Sequence, residues 1–416
     1  MAPIKGEGSV YQRKSDGMWV CAIDLGTDES GKRRRKTVTA KNKPDLIVKR
    51  RKLIRDLEDG LVVTHTGMTV EAWLDKWHND ISKRRLKPRV WAGYGSQLER
   101  HIKPAIGKHR LDKLTPAHVR AMHDRIASTP SNRGDGNVSP RVVEVCHNIL
   151  SRALRDAVNE GLVRDNACDR VDRPTVNSRQ REPITVDDAK QLLLTAGEAN
   201  DALAAMWAAA LLVGARQSEL MGLTWSRVDL KAGTVDLSWQ LQQLPFRHGC
   251  AAAGKEPSCG RKRSGACPKR QHDVPRGYEH SPVDGGLCFT RPKTKSSIRA
   301  IPIPPLLVQA LAAHKATATV NDHDLVWARD DGKPWRHKQV LEAWHSAVER
   351  AGIPACDMHS TRHTTASLLL ELGVPMEVIA QILGHSTILS TRGYAHANLE
   401  MAQKAMAQLG QALTNE

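Results

Sequence analysis

The chain of 416 residues carries 62 Lys+Arg against 45 Asp+Glu, a formal net charge of +17, with 40% hydrophobic and 26% charged residues. That length fits two or three ordinary domains, and the composition excludes disordered and fibrous classes. The longest apolar run, residues 202–215, is too short to span a bilayer and the first residues lack the apolar core of a secretory signal, so a cytoplasmic protein with a polyanionic partner is expected, nucleic acid first.

The charge is uneven. Residues 1–66 hold 15 basic and 9 acidic groups, residues 67–244 hold 26 and 21, residues 245–299 hold 12 and 4, and residues 300–416 hold 9 and 11. Nearly half of the excess therefore lies in one stretch of 55 residues. Cys21, Cys146, Cys168 and Cys356 are scattered, whereas Cys250, Cys259, Cys267 and Cys288 cluster. With no secretory signal, a disulfide framework is not expected, and the cluster reads as metal ligands or small buried hydrophobes.

In chain order, Gly8 to Tyr11, Met18 to Ile23 and Lys36 to Thr39 alternate like short strands, with turn chemistry at Ser15-Asp16-Gly17 and Glu29-Ser30-Gly31-Lys32. A basic helix follows from Lys43 to Glu58, stopped by Gly60. This predicts a three-stranded sheet plus helix over residues 1–66, with Arg33, Arg34 and Arg35 on its rim, suited to a DNA groove. Residues 67–180 read as helical: one helix opened by Thr69, then Val90 to Lys103, Thr115 to Ile126 and Pro140 to Glu160. Asp169 to Arg181, polar and holding Pro174, reads as a linker. Residues 181–416 begin with a helix capped at Thr185, then a strongly apolar helix from Asp201 to Val213 ended by Gly214, then a short helix with Arg216 and Glu219. Strands are expected at Val235 to Trp239 and Arg299 to Ile303, with a Cys-, Gly- and Lys/Arg-rich excursion, 245–290, between them and helices beyond. The predicted class is multidomain α+β, mostly α with small sheets.

Two dense motifs lie in the last third. His359-Ser360-Thr361-Arg362-His363 opens an apolar helix, and Leu383-Gly384-His385 is followed nine residues later by Tyr394. Upstream stand Gly214-Ala215-Arg216-Gln217-Ser218-Glu219-Leu220 and Pro292-Lys293-Thr294-Lys295-Ser296-Ser297-Ile298-Arg299-Ala300-Ile301-Pro302. Such residues suit attack on a phosphodiester. Arginines clamp the charge that gathers on non-bridging oxygens, histidine and lysine move protons, and a tyrosine hydroxyl is a covalent nucleophile. These motifs lack the acidic ligands of a two-metal nuclease. Taken singly, each residue also has a structural reading: a surface arginine, a capping histidine, a core tyrosine, a solvated lysine.

Together these motifs resemble the tyrosine recombinases, in particular actinobacterial phage and integrative-element integrases, along nearly the whole chain. The resemblance implies catalytic roles for Arg216, Lys293, His359, Arg362, His385 and Tyr394, with Lys295 as the alternative lysine. It implies an arm-site-binding domain at 1–66, a core-site-binding domain at 67–180 and a catalytic domain at 181–416. It further implies a site-specific recombinase that needs no catalytic cofactor. Such an enzyme works as a homotetramer on double-stranded DNA attachment sites through a Holliday junction, with an excision factor or a host DNA-bending protein as accessory. Its C-terminal helix, Asn398 to Leu413, docks either on a neighbouring protomer or on its own domain. A type IB topoisomerase-like enzyme and a non-enzymatic DNA-binding regulator are the alternatives.

The excursion departs from the family pattern, whose hairpin here is short. Cys250, Cys259, Cys267 and Cys288, with His248 nearby, are candidate ligands of one structural zinc, although the paired Cys-x-x-Cys knuckle is missing. Arg261, Lys262 and Arg263, with Lys269 and Arg270, are expected to meet DNA phosphates.

Overall fold

A computed structural model describes residues 9–27, 33–58, 67–131, 136–175, 184–250, 256–292, 295–384 and 397–413. The chain divides into two compact units, Met1–Asn177 and Ser178–Glu416.

In the first unit, β1 (Ser9–Gln12), β2 (Trp19–Thr27) and β3 (Arg33–Ala40) form an antiparallel sheet in that order. Gly17 supplies the left-handed residue of the first turn, at φ 68°. Helix α1 (Lys43–Glu58) is opened by Asn42, whose Oδ1 accepts from the Asp45 amide at 2.9 Å. It lays Leu46 and Leu53 against Cys21, Ile23 and Ala40, a small core of its own.

A second core in this unit is helical. Helix α2 (Val70–Lys76) starts at Thr69, whose hydroxyl accepts from the Ala72 amide at 3.2 Å. It runs through a π-helical turn, Trp77–Ser82, into α3 (Lys83–Arg85). Helix α4 (Pro88–Gln97), a second π-turn at Leu98–Ile102 and α5 (Lys103–Ile106) repeat the pattern. Helices α6 (Pro116–Ala127) and α7 (Pro140–Asn159) follow. Pro88 starts α4 two residues before the expected Val90, because a fixed φ suits a first helical turn. Trp73, Ile102, Met122, Ile149 and Leu150 fill this core, and the Trp73 indole N–H donates to Ala153 O at 2.9 Å. Cys146 and Cys168 are buried here, where burial pushes both thiols up to about 12, so they behave as small hydrophobes. The expected linker is partly structured, since Ala167–Arg170 forms a 3₁₀ turn that Asn166 caps.

In the second unit, Thr185 caps α8 (Val186–Glu198) through the Asp188 amide at 3.1 Å. Helix α9 (Ala204–Val213) begins three residues later than expected, because Asp201 Oδ1 takes the Leu203 amide in a turn. Met206 to Val213 are all buried, and Trp207 meets Trp344 edge to face at 5.3 Å. Helix α10 (Gln217–Met221) is followed by β4 (Val228–Asp229), β5 (Thr234–Asp236), β6 (Gln240–Gln243), β7 (Phe246–Arg247), β8 (Gln271–His272), β9 (His280–Asp284), β10 (Leu287–Thr290) and β11 (Ala300–Pro302). Of the strand expected at Val235 to Trp239, only Val235 and Asp236 are extended, in β5; Leu237 to Trp239 connect it to β6. The sheets run β11-β5-β4, β6-β10-β9 and β7-β8. The excursion is therefore built into sheet structure: β10 pairs with β6 across it, Leu287 opposite Gln243. Helices α11 (Pro305–Thr317), α12 (His337–Arg350), α13 (Ser360–Glu371), α14 (Met376–Leu383) and α15 (Ala397–Ala412) complete the unit. Ala405, Met406 and Leu409 of α15, with Leu413, belong to the same core as α9, so this helix packs on its own domain. No helix among the described residues is long and apolar enough to cross a membrane.

Candidate active site

The site is assembled where α9, α13 and α14 end or begin. Gly214, which ends α9, takes the left-handed conformation at φ 60°. A Cβ there would stand 2.6 Å from Leu383 Cδ2 and 3.0 Å from Thr365 Cβ, so glycine permits a close approach of three helices. Gly384 ends α14 in the same way, at φ 69°.

Three arginines from distant segments cap the C-terminal end of α14 on three successive carbonyls. Arg299 Nε donates to Ile382 O at 2.6 Å, Arg362 Nη2 to Leu383 O at 2.6 Å, and Arg216 Nη2 to Gly384 O at 3.1 Å. The last carbonyls of a helix lack intrahelical donors and carry about half a negative charge, which suits guanidinium groups. Arg362 Nη1 also donates to Gly214 O at 2.9 Å, tying the two glycine ends together.

Glu219 binds two of the three. Its Oε1 accepts from Arg216 Nη1 at 2.6 Å, and its Oε2 accepts from Arg299 Nη2 at 3.1 Å and from the Arg216 amide at 3.0 Å. Ser297 Oγ accepts from Arg216 Nη1 at 3.1 Å, and Ser297 O from Arg299 Nη1 at 3.1 Å. The Glu219 side chain is fully buried. Burial alone would raise its pKa, but Arg299 and Arg216 outweigh burial and hold it below the ordinary carboxylate value. Burial, then the neighbouring Arg216 and Arg299, presses Arg362 down to about 9, which still leaves it cationic at neutral pH. Among the described residues, Glu219 is the one carboxylate ion-paired within this group, to Arg216 and Arg299. Two positive charges are thus left over in a largely buried place, and Arg216, with 36% of its side chain accessible, opens that place to solvent. A buried excess of cations calls for an anionic ligand.

Arg362 is buried, whereas His359, three residues earlier at the N-terminus of α13, is exposed beside His363 at a ring separation of 5.2 Å. Lys293, His385 and Tyr394 lie outside the described residues. The backbone of Lys295 opens a 3₁₀ turn, Lys295–Ser297, that Ser297 and Arg299 anchor to Arg216 and Glu219. Sequence reasoning assigns no role to Glu219, Ser297 or Arg299. Their signal is present all the same, as a Glu three residues after Arg216 and as Ser-x-Arg ahead of Ile-Pro.

Arg35 is exposed on β3, where Arg33 and Arg34 also lie, although the side chains of that pair fall outside the described residues. Arg261, Lys262 and Arg263 are exposed in the insertion. Of the four cysteines read as ligands, the structure brings together Cys250, Cys259 and Cys267, with His248 as the fourth member. Cys288 is not with them. The register of β10 sets it opposite Gln242, with its Sγ 3.5 Å from His272 Nε2, and burial pushes its thiol up to about 11.

Residues 279–401 match the Phage integrase family, and residues 69–126 match the Phage integrase, N-terminal SAM-like domain. An integrase of Saccharopolyspora erythraea is 26% identical over 416 residues, covering 94% of this chain and 93% of its own. The chain carries both of these phage integrase domains. It is thereby a tyrosine-type site-specific recombinase. The recombinase also shares its fold with the Tn1549 transposon integrase in complex with a circular intermediate DNA, with a TM-score of 0.59 at 18% identity over 80% of this chain and 99% of the other. A lambda integrase tetramer bound to a Holliday junction is similar at a TM-score of 0.50 and 15% identity, covering 94% and 99%.

Proposed function

We propose that this recombinase cuts and rejoins DNA through Tyr394, whose hydroxyl oxygen attacks the scissile phosphorus. The bond to the 5′ oxygen breaks, and a 3′-phosphotyrosyl bond forms. Lys293 gives the departing 5′ oxygen its proton, and His359 assists proton transfer at the nucleophile. Arg216, Arg362 and His385 hold the non-bridging oxygens as charge grows on them. A freed 5′ hydroxyl from a partner strand then reverses the step, so the energy of the broken bond is conserved and no nucleotide cofactor is consumed.

One observation carries this reading. Three guanidiniums against a single carboxylate stand at the end of α14, directly before His385. The surplus charge has the sign that a phosphodiester site needs, and guanidinium is the group suited to its oxygens. The same reading assigns phosphate contacts to Arg33, Arg34 and Arg35 and to Arg261, Lys262 and Arg263. It also assigns a homotetramer on two double-stranded attachment sites, which the fold shared with the lambda integrase tetramer supports. Integration and excision of a phage or mobile element in a bacterial cytoplasm, helped by an excision factor or a DNA-bending protein, complete it.

Trapping on a nicked attachment-site substrate tests the chemistry, because loss of the short strand beyond the nick prevents religation. Wild type is expected to form a covalent adduct stable to denaturant, and Tyr394→Phe none. An adduct in Tyr394→Phe, or one mapped by peptide mass spectrometry to another residue, would refute the assignment.

A further inference from the structure

The insertion that interrupts the β6–β10 hairpin has its own organising centre, built from none of the residues assigned to catalysis. One imidazole nitrogen and three thiol sulfurs, from His248, Cys250, Cys259 and Cys267, all lie within 4.8 Å of one another. Cys267 Sγ is 3.6 Å from Cys250 Sγ, and Cys259 Sγ is 3.4 Å from His248 Nδ1. A disulfide would need sulfurs about 2.05 Å apart, so these thiols are not bonded to each other. A tetrahedral zinc with bonds of about 2.3 Å to sulfur and about 2.0–2.1 Å to nitrogen has edges of about 3.8 Å between sulfurs and about 3.5 Å between sulfur and nitrogen. Both observed separations fall within about 0.2 Å of those edges.

The surroundings need such a centre. Strands β7 and β8 contribute two residues each, too few to hold the segment by themselves. Among the described residues from Pro245 to Gly285, Cys267 is the only buried hydrophobic one. Around this thin interior stand the exposed cations Arg261, Lys262, Arg263, Lys269 and Arg270, whose mutual repulsion favours an open loop. A segment with so little core requires a covalent or metal staple to keep one shape.

We propose that His248, Cys250, Cys259 and Cys267 bind one structural zinc ion that holds the insertion as a rigid, cation-bearing knob. The four protein ligands close the coordination sphere, so the ion has no open position for water or substrate and takes no part in strand transfer. Cys288 stays outside the sphere.

Metal content of the full-length protein tests this directly, without any activity assay. Wild type, purified with reductant and without chelator, is expected to carry stoichiometric zinc, and Cys288→Ser to keep it. Cys250→Ser, Cys267→Ser and His248→Ala are expected to lose most of it. Because a ligand variant can also misfold, cobalt substitution of wild type gives a second readout: intense visible bands of a tetrahedral ion with thiolate charge transfer. His248→Ala should shift those bands if it still binds cobalt. Four outcomes would overturn the proposal: a metal-free wild type with every thiol titratable, a Cys250–Cys267 disulfide by peptide mapping, retention of zinc in Cys267→Ser, or an octahedral cobalt spectrum.

Discussion

Glu219 balances two cations, the buried Arg299 and the part-exposed Arg216, and that makes its charge a stability term as well as a positioning device. Its folded pKa lies below the ordinary value of about 4.3, so the stabilisation is present above that pH and is lost as pH falls through the folded value. Glu219→Gln leaves Arg299 and Arg216 short of a counter-charge. Removing one partner of a buried pair costs about 3–5 kcal/mol. At about 2–4 °C per kcal/mol for a unit of this size, Tm at pH 7 should fall by roughly 6–20 °C. The acid arm of stability should also flatten relative to wild type, and scanning fluorimetry across pH measures both. An unchanged Tm and an unchanged acid arm would show that the carboxylate is not charged in the fold. The motif around Arg216 made that arginine legible as a phosphate ligand. It could not reveal that Glu219 points inward, because a Glu at the third helical position reads equally well as a cap, and here it also is one: Oε2 accepts the Arg216 amide.

At the scale of elements, the end of α14 is the frame on which the arginines hang. Gly384 is required there twice over. Its left-handed φ costs any other residue about 1–2 kcal/mol, and a Cβ would sit 2.9 Å from Arg299 Nη1 and 3.2 Å from the Ser296 carbonyl. Gly373 offers a control, with φ 75° and nothing within 4 Å of where its Cβ would stand. Gly373→Ala should lose stability alone, whereas Gly384→Ala should also lose cleavage at saturating DNA by tenfold or more. Equal behaviour of the two variants in a single-turnover cleavage assay would dismiss the crowding argument. Helix boundaries were largely legible, because Thr69, Thr115, Pro116, Pro140 and Thr185 are start signals with local causes. The strands of the insertion were not, because β10 finds β6 across more than forty positions and no local periodicity reports that pairing. The same register decides that Cys288 faces His272 rather than the other thiols, which spacing along the chain cannot tell.

At the scale of the molecule, the net charge of +17 divides between binding and chemistry. Residues 300–416 are net negative, with 9 basic against 11 acidic groups, although they hold four of the six residues assigned to catalysis. The surplus lies in residues 1–66, net +6, residues 67–244, net +5, and residues 245–299, net +8. Neutralising Arg261, Lys262 and Arg263 together should weaken DNA binding and reduce the slope of log affinity against log salt by up to about 2.7, at about 0.9 for each phosphate no longer neutralised. Cleavage by the bound enzyme should survive. A salt titration read by fluorescence anisotropy measures the slope, and an unchanged slope would remove this loop from the interface. This division of charge was visible in the sequence, since it needs only counting. The two cores of the first unit were foreshadowed by the switch from alternating to helical pattern near residue 67.

The capped end of α14 also orders events in time. Arg216 reaches Gly384 across 168 positions of chain and Arg299 reaches Ile382 across 83, so the charges meet only when the last third of the molecule has docked. During synthesis the arginines are made first and their shared anchor nearly last. An incomplete or locally opened chain keeps its basic surfaces and can ride on DNA, but its cations stay dispersed and cannot gather around a phosphate. The full set of cations thus comes together only when the fold is whole, and strand cleavage depends on the completed unit.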